Sequence, residues 1–464
     1  MSLIATLVCL AAVAGLLYLD RDSSERTSKA LWIPLIWMLI VGSRAVSEWG
    51  GVDPTSNLSQ RNAEGNPLEA SIYGTLILAG LLVLNFRSSQ VRRFLRANGP
   101  ILLFLGYCAL SVLWSESPYV ALKRWIKGAG VFVMVLVVVT DMDPVAALRR
   151  LLSRAAFVLL PASVLLILYF PKIGSSFDRW SGVTYYCGVT TQKNELGLTC
   201  LVCGLGSIWS LLCAFRDRNT AHRRQRMFAH GMMIVTAIWL LKTCDSMTSM
   251  TSLGIAAGVM GLTTLPVVRR APRNIHILLA GAAVAAAFAS VADLSGAVLS
   301  LLGRNATLTG RTEIWKGVLS FHTNPLIGAG YESFWMGGRI DDMATILGYK
   351  GIAEAHNGYL QIYLDLGWIG LGFLAFLIVS GYQGAVGELS LNPRAGRIRL
   401  ALLTAGLVSS MTEAGFAAMT PIWFAFLLAN THFPSLLRAQ ARPVYQNQTL
   451  EKQATNTRQT RILQ

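Results

Sequence analysis

Apolar runs recur along this chain with so few charges inside them that a membrane-embedded helix bundle is the expected fold. Thirteen such runs fall at roughly 3–19, 31–42, 70–85, 100–114, 128–140, 155–170, 195–215, 229–243, 252–268, 275–292, 358–382, 399–415 and 418–432. Of the 464 residues 14% are charged, against about 25% in an ordinary soluble domain, which makes a water-soluble globule a poor fit. The reading is an all-α polytopic membrane protein of about 12–13 transmembrane helices, with one large periplasmic loop late in the chain. Several runs fall short of ~20 residues and need tilt, flanking Trp and Tyr, or local bilayer thinning to cross. The last two are joined only by Glu413 to Met419, so one crossing plus a re-entrant piece is an open alternative to two spans. Residues 3–19 lack a basic leader and a small-residue cleavage site before Asp20, so they do not read as a cleaved signal.

Basic residues outnumber acidic ones by 40 to 24. In a soluble protein that excess would raise nucleic acid as a partner. Here the cations cluster between apolar runs, as the positive-inside rule produces, and no nucleic-acid partner is read. The clusters Arg21/Arg26/Lys29, Arg87/Arg92/Arg93/Arg96, Arg149/Arg150/Arg154, Arg216 to Arg226, Arg269/Arg270/Arg273 and Arg394/Arg397/Arg399 fall on one side, expected to be cytoplasmic. The domain reading follows: residues 1–292 a helix bundle, 293–357 a periplasmic loop, 358–432 closing helices, and 433–464 a polar, disordered cytoplasmic tail. The topology rule leaves the opposite-side cations unexplained: Arg44, Arg61, Lys123, Arg124, Lys127, Lys172, Arg179, Lys193, Arg304, Arg311, Lys316, Arg339 and Lys350. They point to an anionic ligand on that side, although lipid headgroups account for several of them.

In the late loop, Ile314, Trp315, Val318, Leu319 and His322 share one stripe of an amphipathic helix over 311–322, stopped by Asn324-Pro325. His356, followed by Asn357 and Gly358, stands directly ahead of the next apolar run. A helix N-terminus attracts anions and disfavours imidazolium. A neutral imidazole there could take a proton from an attacking hydroxyl, help worth ~10²–10⁴ in rate. An N-cap or interface histidine explains the residue equally simply. Arg311 offers a guanidinium fork suited to phosphate, or else snorkels to headgroups. Cys200 and Cys203 form a C-x-x-C without a second pair or nearby His, so they read as small core residues. A Cys187–Cys244 disulfide has little support. The sequence shows no D-x-D, no H-E-x-x-H and no tight carboxylate cluster outside, so no metal and no cofactor are read.

Three ordered blocks, T-G-R-T-E-I-W-K-G-V (Thr309 to Val318), N-P-L-I-G-A-G-Y-E-S-F (Asn324 to Phe334) and H-N-G-Y-L-Q-I-Y-L-D-L-G-W-I-G-L (His356 to Leu371), resemble the signature of the O-antigen ligase and polymerase superfamily. Upstream, L-W-S-E-S-P-Y-V-A-L-K-R-W (Leu113 to Trp125) and T-Q-K-N-E-L-G-L (Thr191 to Leu198) resemble its exopolysaccharide-polymerase branch. The resemblance implies a multi-pass glycosyltransferase of the bacterial inner membrane with its active site facing the periplasm. It would act on a glycan linked to undecaprenyl diphosphate, invert at the sugar, and need neither metal nor nucleotide. A flippase and a chain-length regulator of the same pathway are the implied partners. Carried over by residue, His356 is base or acceptor-positioning group and Arg311 grips diphosphate. Arg124 is a second phosphate ligand, and Lys193, Lys123, Lys127, Tyr331, Glu332 and Asn357 are further substrate-binding candidates. Gln192 stands where many relatives carry His before the Lys, which argues against acid–base chemistry at that block. Glu332 or Glu354 could replace His356 as base.

The leading reading is polymerisation of lipid-linked repeat units into exopolysaccharide or O-antigen. A ligase moving finished glycan onto lipid A core or protein is the alternative within the fold. A transporter or flippase would need ionisable residues inside spans or paired broken helices. Glu413, in T-E-A-G, is the best such residue, and it could equally seal a cavity.

Overall fold

The computed structural model describes residues 2–21, 26–51, 66–177, 183–216, 222–291, 311–348 and 352–432, with side chains from 283 to 291 left aside. Arg61, Arg179, Arg304, Lys350, the loop segment 293–310 and the tail 433–464 lie outside these residues.

Every apolar run is a helix. The order is α1 (Ser2–Leu19), α2 (Trp32–Val41), α3 (Pro67–Phe86), α4 (Ser88–Ala97), α5 (Gly99–Ser111), α6 (Pro118–Val139), α7 (Pro144–Tyr169), α8 (Lys193–Arg216), α9 (Arg223–Thr243), α10 (Met247–Leu262) and α11 (Asn274–Val291). After the late loop's α12 (Arg311–Ser320) and α13 (Arg339–Leu347) come α14 (Gly358–Leu391), α15 (Pro393–Ser409) and α16 (Pro421–Asn430). A short antiparallel hairpin, β1 (Ser175–Phe177) with β2 (Thr184–Tyr186), stands between α7 and α8 and pairs Ser176 with Tyr185.

Repeated cap–proline pairs set the helix starts. Asn66-Pro67, Asp143-Pro144, Asn392-Pro393 and Thr420-Pro421 each place a side-chain acceptor on free N–H groups of the first turn and a proline at its start. Asp143 in particular accepts from Val145 and Ala146. Arg149, Arg150 and Arg154 therefore ride on the first turns of α7, not in a loop as the charge pattern suggested.

Among the described residues five helices, α1, α3, α7, α8 and α14, are long and apolar enough to cross a bilayer alone, and α4 with α5 makes a sixth candidate bent by 88°. The other runs form shorter helices or carry charged ends. α8 holds the centre, packed against α7, α9, α10, α15 and α16, and it buries Cys200, Cys203 and Cys213 as core residues. All seven cysteines are free. The ten residues of α16 reach only about 15 Å, half of the hydrocarbon core, and all of them are buried. α16 fits the re-entrant alternative.

α14 is two helices joined at Gly367, whose φ of 66° and ψ of −166° leave the helical region. Loop residues 325–330 dock onto the break. Ala329 and Gly330 N–H donate to the Leu364 and Asp365 carbonyls at 3.0 and 2.8 Å, while Trp368 and Ile369 N–H donate to the Pro325 and Leu326 carbonyls at 2.9 and 3.1 Å. Gly328 and Gly367 permit that contact: a Cβ on either would lie 2.4 or 2.3 Å from the opposing backbone carbon. Both have φ of 66°, a conformation that costs any other residue. Gly367→Ala is therefore expected to lower stability by about 3 kcal/mol or more, from overpacking plus backbone strain. A thermal melt in detergent reads this, with the exposed, sterically open Gly372→Ala as the neutral comparison.

Candidate functional site

The late loop builds its own apolar cluster. Ile314 and Val318 of α12 pack with Phe334, Trp335, Ile340 and Met343, and with Ile352, Ala355 and Leu364. The buried stripe is narrower than the periodicity suggested. Leu319 is exposed and His322 faces out, because the helix stops at Ser320 and turns only its 314–318 edge inward.

This cluster fixes the backbone on which His356 stands. The Trp315 indole N–H donates to the Ala355 carbonyl at 2.9 Å. Gln361 Oε1 accepts from Ala355 N–H at 3.3 Å and from the Trp335 indole at 3.0 Å, and Gln361 Nε2 donates to Asp365 at 2.8 Å. The next residue, His356, is held at φ 45°, in the left-handed region. Asn357 caps α14 by accepting from Leu360 N–H at 3.0 Å, so the cap role considered for His356 belongs to its neighbour and the imidazole is left for other contacts.

Those contacts converge on Glu413, in the turn between α15 and α16. Arg311 Nη2 donates to Glu413 Oε1 at 2.6 Å. His356 Nδ1 lies 3.7 Å from Glu413 Oε2 and 3.0 Å from Glu354 Oε1, in ion-pair contact without hydrogen-bond geometry. Access is graded: side-chain exposure is 4% for Glu413, 16% for Arg311, 21% for His356 and 39% for Glu354. Burial on its own pulls the His356 pKa down, but the Glu413 and Glu354 carboxylates outweigh it, with Arg311 opposing them, and the result lies above the ordinary value.

Two expectations are corrected here. The helix N-terminus is not what governs the imidazole, because two carboxylates face it at close range and favour its protonated form. A tight carboxylate cluster does exist on this face: Glu354 and Glu413 with His356 offer ligand atoms within 4.8 Å of one another, a set that could hold a cation. Glu195 in α8 in turn feels the charge of Glu354. Glu195 accepts from the Thr191 and Gln192 N–H groups, while Thr191 donates to Glu48 at 2.7 Å. The T-Q-K-N-E block, with half-buried Lys193, is thereby brought to the same region.

The remaining candidates separate into two groups. Arg124 donates to the Glu332 carbonyl, and Glu332 Oε1 accepts from Ala418 N–H at 3.1 Å, so both tie into the turn that carries Glu413. Tyr331 is buried, its hydroxyl against Gly128, and reads as packing. Lys123 lies over the Tyr119 ring at 4.2 Å and Lys127 over Tyr73 at 5.3 Å, contacts that lead away from His356. Sequence reasoning singled out Glu413 as a buried charge but missed that it joins Arg311 to His356. Its only signal was an acid in an apolar stretch.

Parts of the chain are similar to known proteins. Residues 232–375 match the family described as O-Antigen ligase, a span that contains all three ordered sequence blocks. The exopolysaccharide production protein ExoQ of Rhizobium meliloti (strain 1021) is 26% identical over 300 residues, 62% of this chain and 65% of that protein. The match thus spans just under two thirds of the relative's length. Over these segments the chain is similar to the O-Antigen ligase family and to that exopolysaccharide production protein.

His356→Gly is expected to keep the fold, since glycine adopts the φ of 45° freely and strain relief of about 1 kcal/mol offsets the lost contacts. A melting curve checks it. In the wild type, the raised pKa means the ion-pair contribution is complete below the unfolded-state histidine value and fades as pH rises through the folded one. The variant should lack that slope.

Proposed function

On the basis of that similarity, we propose that this chain is an inner-membrane glycosyltransferase that polymerises undecaprenyl-diphosphate-linked repeat units into exopolysaccharide or O-antigen at the periplasmic face. The observation that carries the reading is the chain Arg311–Glu413–His356–Glu354, which puts an anion-gripping fork and a proton acceptor on either side of one buried carboxylate. The similarity to an exopolysaccharide production protein is in keeping with a chain that acts in building a polysaccharide.

The acceptor sugar hydroxyl attacks the anomeric carbon of the lipid-linked glycan from the face opposite the diphosphate. A new C–O bond forms, and the bond from that carbon to the phosphate oxygen breaks with its electron pair leaving on the diphosphate. The hydroxyl proton passes to neutral His356, whose basicity the two carboxylates raise. Glu354, the more exposed partner, then receives or shares that proton. Arg311 spends one N–H on Glu413, which orients the guanidinium and leaves its other donors for the diphosphate. Arg124 and Lys193 supply further positive charge for the same group. Preorganised cations in a partly dry site stabilise developing phosphate charge better than water does. Arg311 offsets the Glu413 carboxylate, and the steps of this reading are assigned to these side chains alone.

Deletion of the gene should leave single repeat units on the lipid carrier, and neither Arg311→Ala nor His356→Ala should restore the polymer ladder at normal membrane levels. Long polymer stranded on the carrier would instead mark a ligase. Repeat units held on the cytoplasmic leaflet would mark a flippase and overturn the enzyme reading. In vitro, activity should rise with pH through the elevated His356 pKa. Glu413→Gln should shift that limb to lower pH and cut the rate by ~10² through the misplaced Arg311. Activity should persist in a chelator. Loss in chelator that a divalent cation restores would assign Glu354, His356 and Glu413 to a metal.

A further inference from the structure

The end of α15 away from Glu413 holds a second arrangement that the glycosyl-transfer reading does not use. α15 runs from this end towards Glu413, and Arg397 sits in its first turns, ~18 Å along the axis from Ser409. The residue is 1% exposed. Its Nε donates to Thr263 Oγ1 at the end of α10 at 3.0 Å. Among the described residues it makes no ion pair and no second hydrogen bond, so four guanidinium N–H groups are without a protein acceptor.

Its electrostatic surroundings are cationic. Arg216 at the end of α8, Arg269 in the short helical turn Pro266–Arg270, and Arg394 all act on it, with the Cys213 thiol as the other neighbour. Arg216 and Arg269 are exposed and, among the described residues, make no ion pair. The frame is built rather than accidental. The Trp209 indole of α8 donates to the Arg394 carbonyl at 3.0 Å, and the Thr263 bond pins the end of α10, so α8 and α10 both meet the start of α15, within electrostatic reach of Arg397. A buried guanidinium without a carboxylate is costly, and an anion would relieve that cost.

We propose that Arg397, with Arg216 and Arg269 at its rim, forms a phosphate-binding site at the end of α15 away from Glu413. Its ligand is a phosphate group held in the guanidinium fork, carried either by an anionic lipid headgroup or by a soluble phosphate. The inference does not depend on the activity proposed above.

The test uses the full chain purified in detergent, with phosphatidylglycerol, phosphatidylcholine or inorganic phosphate added, read by native mass spectrometry and thermal melting. Phosphatidylglycerol should be retained and should raise the melting temperature, whereas phosphatidylcholine should not. The rim variant Arg216→Gln/Arg269→Gln, altered only at exposed positions, should melt like the wild type in phosphatidylcholine and retain phosphatidylglycerol about tenfold less well. Arg397→Lys, which keeps the charge and loses the fork, should show the same loss. An equal shift from inorganic phosphate, abolished in both variants, would support the site and assign it to a soluble anion. Equal retention of both lipids, or undiminished retention by both variants, would overturn the proposal.

Discussion

The backbone break at Gly367 is the constraint around which the rest of this molecule is arranged. Inside a bilayer an unpaired N–H or C=O has no water to turn to, so a spanning helix can be interrupted only where protein supplies the missing partners. Here the supply comes from outside, as residues 325–330 lay their own backbone across the gap. The same docking brings Tyr331 against α6 and Glu332 to the Arg124 guanidinium. It also fixes Asp365, which accepts from Phe334 N–H and Gln361, and thereby the Gln361 amide that holds Ala355 next to His356. One broken helix thus couples the membrane core to the candidate site through a short run of hydrogen bonds.

The charged residues divide by what balances them. At one end Asp20 draws Arg149, Arg226 and His230 together at 3.1 to 3.5 Å, and Asp141 accepts from Ser28 and Arg87. These closed networks tie α1, α3, α7 and α9 at their ends and explain how cations from the expected loops come to be buried in helix starts. At the other end Glu413 is shared between Arg311 and His356, and Glu354 remains open to solvent. A buried charge with partners on both sides resists displacement, whereas the exposed rim around it is free to change protonation. Rigidity below and chemistry above is the division that the reaction needs.

How much of this was legible in the sequence follows from the range of each interaction. Hydropathy is local, so all thirteen runs became helices, and cap–proline pairs were present in plain view although their effect on the basic clusters was not anticipated. His356 could be singled out because Gly358 and the apolar run beside it set a helix boundary, and Arg311 because it starts the amphipathic helix of its block. Glu413 could not be connected to them: it lies beyond an entire helical hairpin, and only tertiary packing closes that distance. The pull of the carboxylates on His356 was not legible for the same reason, since the helix terminus is adjacent in sequence and Glu413 is not. Asn357 shows the converse, a local cap that was read as a ligand because its neighbour carried the chemical interest.

The polarity of the docked segment along the chain has a consequence for biogenesis. Residues 325–330 are synthesised before Gly367, and translation at ~5–20 residues per second separates the two by seconds. The segment can therefore be across the membrane before the interrupted helix leaves the translocon. The broken helix then meets a waiting loop segment and does not pass through the lipid with bare carbonyls. A circular permutant that placed α14 ahead of the loop would encode the same contacts and reverse that timetable, exposing the gap during insertion. The order of the two signature blocks is in this sense an assembly instruction as well as a fold.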